Sequence, residues 1–220
     1  MPYPDRNAYP DRNAYPDRHA YPDRFYPVVD SVAWVARLAR LGVGTIQLRA
    51  KELDDAQALQ MVTNALEVIK GTPAKLVVND YWRAAIVAGA KHLHLGQEDL
   101  EDADLTEIRK AGLTLGISTH DDEELATALR AKPDYVALGP IFPTTLKSMR
   151  FAPQGIAKIA EWKKRIGNIP LVAIGGIKFE QSAEIFAAGA SSIAVVSDVT
   201  QNADPDARVT QWLGQNAEAA

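Results

Sequence analysis

From Phe25 onward, a short β-branched or aliphatic run followed by a stretch of 3.6-residue apolar periodicity recurs eight times, and no other feature restricts the fold so strongly. The strand candidates are Phe25–Asp30, Thr45–Arg49, Lys75–Asn79, His92–Leu95, Leu113–Ile117, Tyr135–Gly139, Leu171–Ile174 and Ser192–Val196. The helical stretches are Ser31–Leu41, Asp54–Ile69, Trp82–Ala88, Ala103–Lys110, Asp121–Ala131, Pro153–Ile166, Phe179–Ala188 and Asp206–Gln215. Gly42, Gly89, Gly112 and Gly189 follow periodic segments where C-terminal caps belong. Strand followed by helix implies a parallel sheet with crossover helices. Eight such units predict an α/β fold of the closed (β/α)8 TIM-barrel type over residues 25–220, with functional groups where the strands end.

Residues 1–24 do not share this rhythm. They repeat Tyr-Pro-Asp-Arg-Asn-Ala with small variations, and a proline every six residues opposes both helix and sheet, so this segment reads as a low-complexity tail. The net charge of −4 offers no basic face for nucleic acid. The absence of cysteine excludes disulfides and thiolate chemistry. No apolar run reaches the roughly 18 residues of a membrane span, and the N-terminus lacks the layout of a secretory signal, so the expected location is the cytoplasm. Small-molecule partners are expected, and a homo-oligomer is left open.

The strand ends are unusually polar. Gln47, Arg49 and Lys51 alternate with Leu48 and Ala50, so two cations and an amide share one face, an arrangement suited to a phosphate or diphosphate. Strand three ends in Asn79-Asp80 and strand four leads to Asp99. Each aspartate reads either as a helix N-cap or as a cation ligand, and as neighbours beside two cations they favour the second reading. Asp121 to Glu124 read as first-turn charges of a helix. The stiff loop from Gly139 to Lys147 presents hydroxyls and a lysine, and Gly175-Gly176 with Val196-Ser197 close the last two strands, where barrels commonly bind phosphate.

Seven segments taken together resemble the thiamine phosphate synthase family, with the Asn-Asp-Tyr-Trp-Arg form nearest to enterobacterial members. They are Ile46–Lys51, Val78–Arg83, His94–Leu100, Gly116–His120, Leu138–Thr144, Ala173–Ile177 and Ala194–Ser197. The resemblance implies a cytoplasmic transferase that condenses a pyrimidinylmethyl diphosphate with a thiazole phosphate through a carbocation, with Mg²⁺ as cofactor. It implies pyrimidine diphosphate binding by Gln47, Leu48, Arg49, Ala50, Lys51, Asn79, Ser118 and Lys147, of which Arg49, Lys51, Ser118 and Lys147 are catalytic. It implies Mg²⁺ ligation by Asp80 and Asp99. Thiazole phosphate falls to Thr144, Thr145, Leu146, Gly175, Gly176, Val196 and Ser197. Leu146 stands where the family has a second threonine, which removes one hydroxyl and predicts weaker thiazole phosphate binding.

Two rival readings are carried forward. His92-Leu93-His94 sets two imidazoles on one strand face, as in metal-dependent hydrolase barrels. A barrel relative that binds thiazole phosphate without synthase activity, as an isomerase or regulator, is the other.

Overall fold

In the computed structural model, residues 22–144 and 151–217 are described. Among them eight parallel strands, β1 (Phe25–Val29), β2 (Thr45–Leu48), β3 (Lys75–Asn79), β4 (His92–Leu95), β5 (Thr114–Thr119), β6 (Tyr135–Leu138), β7 (Leu171–Ile174) and β8 (Ser192–Val195), form a closed barrel in sequence order. Closure is made by β1 against β8, with Phe25 opposite Ile193 and Pro27 opposite Val195. The helices are α1 (Val32–Arg40), α2 (Asp55–Val68), α3 (Trp82–Ala88), α4 (Gln97–Asp102), α5 (Leu105–Lys110), α6 (Asp122–Arg130), α7 (Gly155–Ile166), α8 (Ser182–Ala187), α9 (Ser197–Thr200) and α10 (Pro205–Ala217).

Period-two alternation separates two cores. Outward residues such as Ile46, Leu48, Leu76, Val78, Leu93 and Leu95 pack with the helices. Inward ones, Tyr26, Val28, Val77, Tyr135, Ala137, Val172 and Ala194, fill the barrel lumen. Two tyrosines fit there because Gly116 has no side chain: a Cβ on it would lie 2.0 Å from Tyr135 Cζ.

Local chemistry accounts for the helix ends. Asp54 and Gln57 form a reciprocal capping box on α2, and Asp121 caps α6 with Asp122, Glu123 and Glu124 in its first turn. The glycine-cap expectation holds at Gly89, which ends α3 in the left-handed region at φ 76°.

Several boundaries depart from the expected ones. Ala103 is extended and Asp104 caps α5, so α5 starts at Leu105 and α4 is a separate turn. Helix α7 starts at Gly155 because the N–H groups of Gln154 and Gly155 donate to Pro140 and Ile141 in the loop after β6. Strand β5 runs to Thr119, since Ser118 and Thr119 pair with Ala137 and Leu138, and this brings Ser118 into the barrel wall.

Three residues read as part of the repeat tail contact the barrel floor. Pro22 is buried. The Asp23 N–H donates to Thr45 Oγ1 at 3.2 Å, Thr45 donates back to Asp23 Oδ2 at 3.0 Å, and Ser192 Oγ donates to the Asp23 carbonyl at 2.5 Å. Arg24 lies 3.7 Å from the Phe186 ring centroid. Residues 1–21 lie outside the described residues.

Candidate active site

Because all strands are parallel, every C-terminal end opens on one rim. Gln47 is inward and 4% exposed, Arg49 follows β2 with its N–H donating to the Val29 carbonyl, and exposed Lys51 lies just beyond. Leu48 instead faces the helices, so its side chain belongs to the outer core, and Ala50 sits in the loop between the cations.

Asp80 follows β3 at φ 66°, a left-handed conformation that aspartate tolerates at some strain. Its N–H donates to the His94 carbonyl. The N-cap position of α3 is Tyr81, which makes no side-chain cap, so the N-cap reading of Asp80 does not hold. Asp99 sits in the first turn of α4, and its charge acts on Asp80. Burial raises the Asp80 pKa to about 6, aided by the Asp99 charge and opposed by Arg49 and Lys51. Two carboxylates and two cations therefore act on one another at one arc of the rim. A cleft of about 400 Å³ opens onto both aspartates, with Arg83 and Asp102 also on its walls. The residue after Lys51, Glu52, has φ 60°, and the Leu53 N–H donates to Tyr81 Oη at 3.0 Å, which ties the cationic loop to the aspartate loop.

Inside the mouth, Gln47 Nε2 donates to Tyr26 Oη at 2.8 Å, and Tyr26 Oη lies 2.8 Å from Tyr135 Oη. Tyr135 Oη is 2.9 Å from His94 Nδ1, and His94 Nε2 is 2.8 Å from Ser118 Oγ. Gln97 Nε2 also donates to the Ser118 carbonyl, at 2.6 Å. Burial, with Arg49 adding repulsion, lowers the His94 pKa to about 3, so the imidazole is neutral. Asn79, in register with His94 and 4% exposed, has a buried Nδ2 with no protein partner.

His92 and His94 do share a strand face, but His92 Nδ1 bonds Thr114 Oγ1 at 2.6 Å while both His94 nitrogens meet protein hydroxyls. Among the described residues no group of three or more His, Asp and Glu is placed to hold a metal.

Across the rim, the loop after β6 lies on the end of β7. The Phe142 N–H donates to the Gly175 carbonyl, and Cβ atoms on Gly175 and Gly176 would fall 2.7 Å from Pro140 Cα and 2.5 Å from the Pro143 carbonyl. Both glycines also have positive φ, 97° and 69°, so backbone conformation and loop packing both demand them. Val196 and Ser197 follow β8 at the start of α9. Thr144 ends the described part of the loop, and Thr145, Leu146 and Lys147 lie outside the described residues.

Sequence reasoning gave Tyr26 and Tyr135 no role at the site and weighed the His94 side chain only as a ligand in a metal-dependent hydrolase. The legible signal was their inward parity with Gln47 and Ser118 on neighbouring strands; it had no weight until the closure of β1 on β8 was known.

A family model described as thiamine monophosphate synthase matches residues 24–199. The thiamine-phosphate synthase of Rhizobium etli is 52% identical over 193 residues, spanning 88% of this chain and 95% of that protein. The same-named protein of Salmonella enteritidis is 52% identical over 188 residues, 86% of this chain and 89% of its own. The structure of thiamine phosphate pyrophosphorylase from Pyrococcus furiosus superposes with a TM-score of 0.77 at 24% identity, covering 89% of this chain and 96% of that one, a likeness of fold.

Proposed function

The chain belongs to the thiamine monophosphate synthase family, and on that premise we propose that it joins 4-amino-2-methyl-5-pyrimidinylmethyl diphosphate to 4-methyl-5-(2-phosphoethyl)thiazole, giving thiamine phosphate and pyrophosphate. The observation that carries this reading is the meeting of Asp80 and Asp99 with Arg49 and Lys51 at one arc of the rim. Two carboxylates forced together need a counter-charge, and two cations beside them need an anion. A diphosphate with a divalent cation satisfies both.

The donor set fits Mg²⁺, a hard ion that takes one or two protein carboxylates and fills its remaining positions with phosphate oxygens and water. Asp80 and Asp99 would hold it, and when bound it neutralises charge on the diphosphate. Arg49 and Lys51 do the same from the protein side, with Lys147 assigned to that role by the resemblance. Gln47, Asn79 and Ser118 hold the pyrimidine; Thr144, Gly175, Gly176, Val196 and Ser197 take the thiazole phosphate, with Thr145 and Leu146 assigned beside them.

The reaction then needs little more than charge compensation and placement. The carbon–oxygen bond to the diphosphate breaks and its electron pair leaves with the oxygen. The pyrimidinylmethyl cation is stabilised by resonance with its amino-substituted ring. The thiazole nitrogen's lone pair closes the new carbon–nitrogen bond, and two anion subsites on one rim hold the partners in reach. No protein nucleophile takes part.

Mixing both substrates with Mg²⁺ and measuring pyrophosphate against thiamine phosphate tests this. Equimolar release is expected, and Asp80→Ala should lower kcat on the order of 10²-fold or more, as loss of a charge-stabilising group does. Binding of thiazole phosphate with no pyrophosphate release would make the protein a binder instead.

A further inference from the structure

The mouth of the barrel contains a continuous hydrogen-bonded line from Gln47 to Ser118, and its polarity is dictated from one end. The amide nitrogen of Gln47 only donates, so Tyr26 Oη accepts there and turns its single proton toward Tyr135. Tyr135, having accepted, directs its own proton at His94 Nδ1. An Nδ1 that accepts carries no proton, so the ring's N–H is on Nε2 and donates to Ser118 Oγ. Ser118 receives that bond and keeps its own proton for whatever lies in the mouth.

We propose that Tyr26, Tyr135 and His94 are positioning residues that lock Ser118 as a hydrogen-bond donor, so that the site selects a ring carrying an acceptor nitrogen at that point. This rests on the synthase reading for the identity of the ring, an aminopyrimidine, but the polarity of the line does not.

Three further observations support it. The line is built at a structural cost: Gly116 is required so that Tyr135 can lie in the lumen, since any Cβ there would overlap its ring. His94 stacks on Tyr135 with centroids 5.6 Å apart and planes 24° from parallel, which holds the imidazole edge toward Ser118. Asn79, in register beside His94, offers a second buried donor with no protein partner, so the mouth presents N–H and O–H groups to an acceptor-bearing ligand.

The test has two arms. In the first, ¹⁵N-labelled ligand-free protein is studied by long-range ¹⁵N–¹H correlation, with His94→Gln assigning the signals. The expected result is the Nε2–H tautomer at His94 in the wild type and loss of that single tautomer in Tyr135→Phe. An Nδ1–H tautomer in the wild type reverses the line and overturns the proposal. In the second arm, steady-state kinetics with both substrates and Mg²⁺ compare Tyr135→Phe, Ser118→Ala and the double variant. Tyr135→Phe should raise the KM for the pyrimidine diphosphate roughly fivefold to tenfold, the effect of one neutral hydrogen bond, and leave the KM for thiazole phosphate unchanged. Because Tyr135 acts through Ser118, the double variant should be no worse than Ser118→Ala alone. Additive losses, or equal losses toward both substrates, would show a general packing role and overturn the proposal. Tyr26→Phe, one step further from Ser118, should show the same pattern more weakly and serves if Tyr135→Phe folds poorly. An inactive wild type would refute the synthase reading alone, and the tautomer would still decide the line.

Discussion

His94 shows how a single residue's surroundings become a measurable property of the protein. Its ordinary pKa of 6.5 falls to about 3 in the fold because burial, and then Arg49, penalise the imidazolium. Below about pH 6.5 the unfolded chain takes up a proton that the folded chain refuses, so stability is full above that value and declines as pH falls toward 3. The slope approaches about 1.4 kcal/mol per pH unit for one proton. Urea unfolding at pH 7.5 and pH 5.5 should therefore show a loss on the order of 1 kcal/mol greater in the wild type than in His94→Gln, while Asp80, raised to about 6, works in the opposite direction in both proteins. Equal pH dependence in the two proteins would mean that His94 is not neutral in the native state. At the same scale, Asp80 and Asp99 were legible from sequence as acids following neighbouring strands. What sequence left open was whether they capped helices, and only the left-handed Asp80 backbone, which hands the N-cap position to Tyr81, decides that.

At the scale of elements, the β/α alternation was readable because strand and helix periodicities differ, whereas boundaries were set by partners the sequence does not display. Helix α7 starts at Gly155 because two N–H groups are used by the loop after β6. Strand β5 extends through Ser118 because β6 pairs with it that far. The lead into β1 is the clearest case. Copies of Tyr-Pro-Asp-Arg look alike in sequence, yet Asp23 and Arg24 of the last copy bond β2 and β8 at the floor of the barrel. Asp23→Ala removes a carboxylate that Thr45 donates to and should lower stability by about 1–2 kcal/mol. Deleting residues 2–20 should leave the denaturation midpoint within error of the full chain. A large drop on deletion would assign the earlier copies a structural role.

For the whole molecule, the site exists only because a closed barrel brings the ends of β2, β3, β4 and β5 to one arc and those of β6, β7 and β8 to the rest of the rim. Ligands that bridge such elements in the native state alone must stabilise the fold by mass action, about 2.7 kcal/mol at a hundred times Kd. Pyrophosphate with Mg²⁺ should thus raise Tm in the wild type and fail to do so in Asp80→Ala, while pyrophosphate alone has a smaller effect. A Tm shift that survives in Asp80→Ala would place the anion elsewhere. The sequence by itself determined the eight β/α units, the cationic and acidic strand ends and the glycine pair, since each is written in local periodicity and residue type. Tertiary structure alone decided which inward side chains meet. The line from Gln47 through Tyr26 and Tyr135 to His94 and Ser118 joins β2, β1, β6, β4 and β5, and side chains so far apart in the chain come within hydrogen-bonding distance only when the barrel closes.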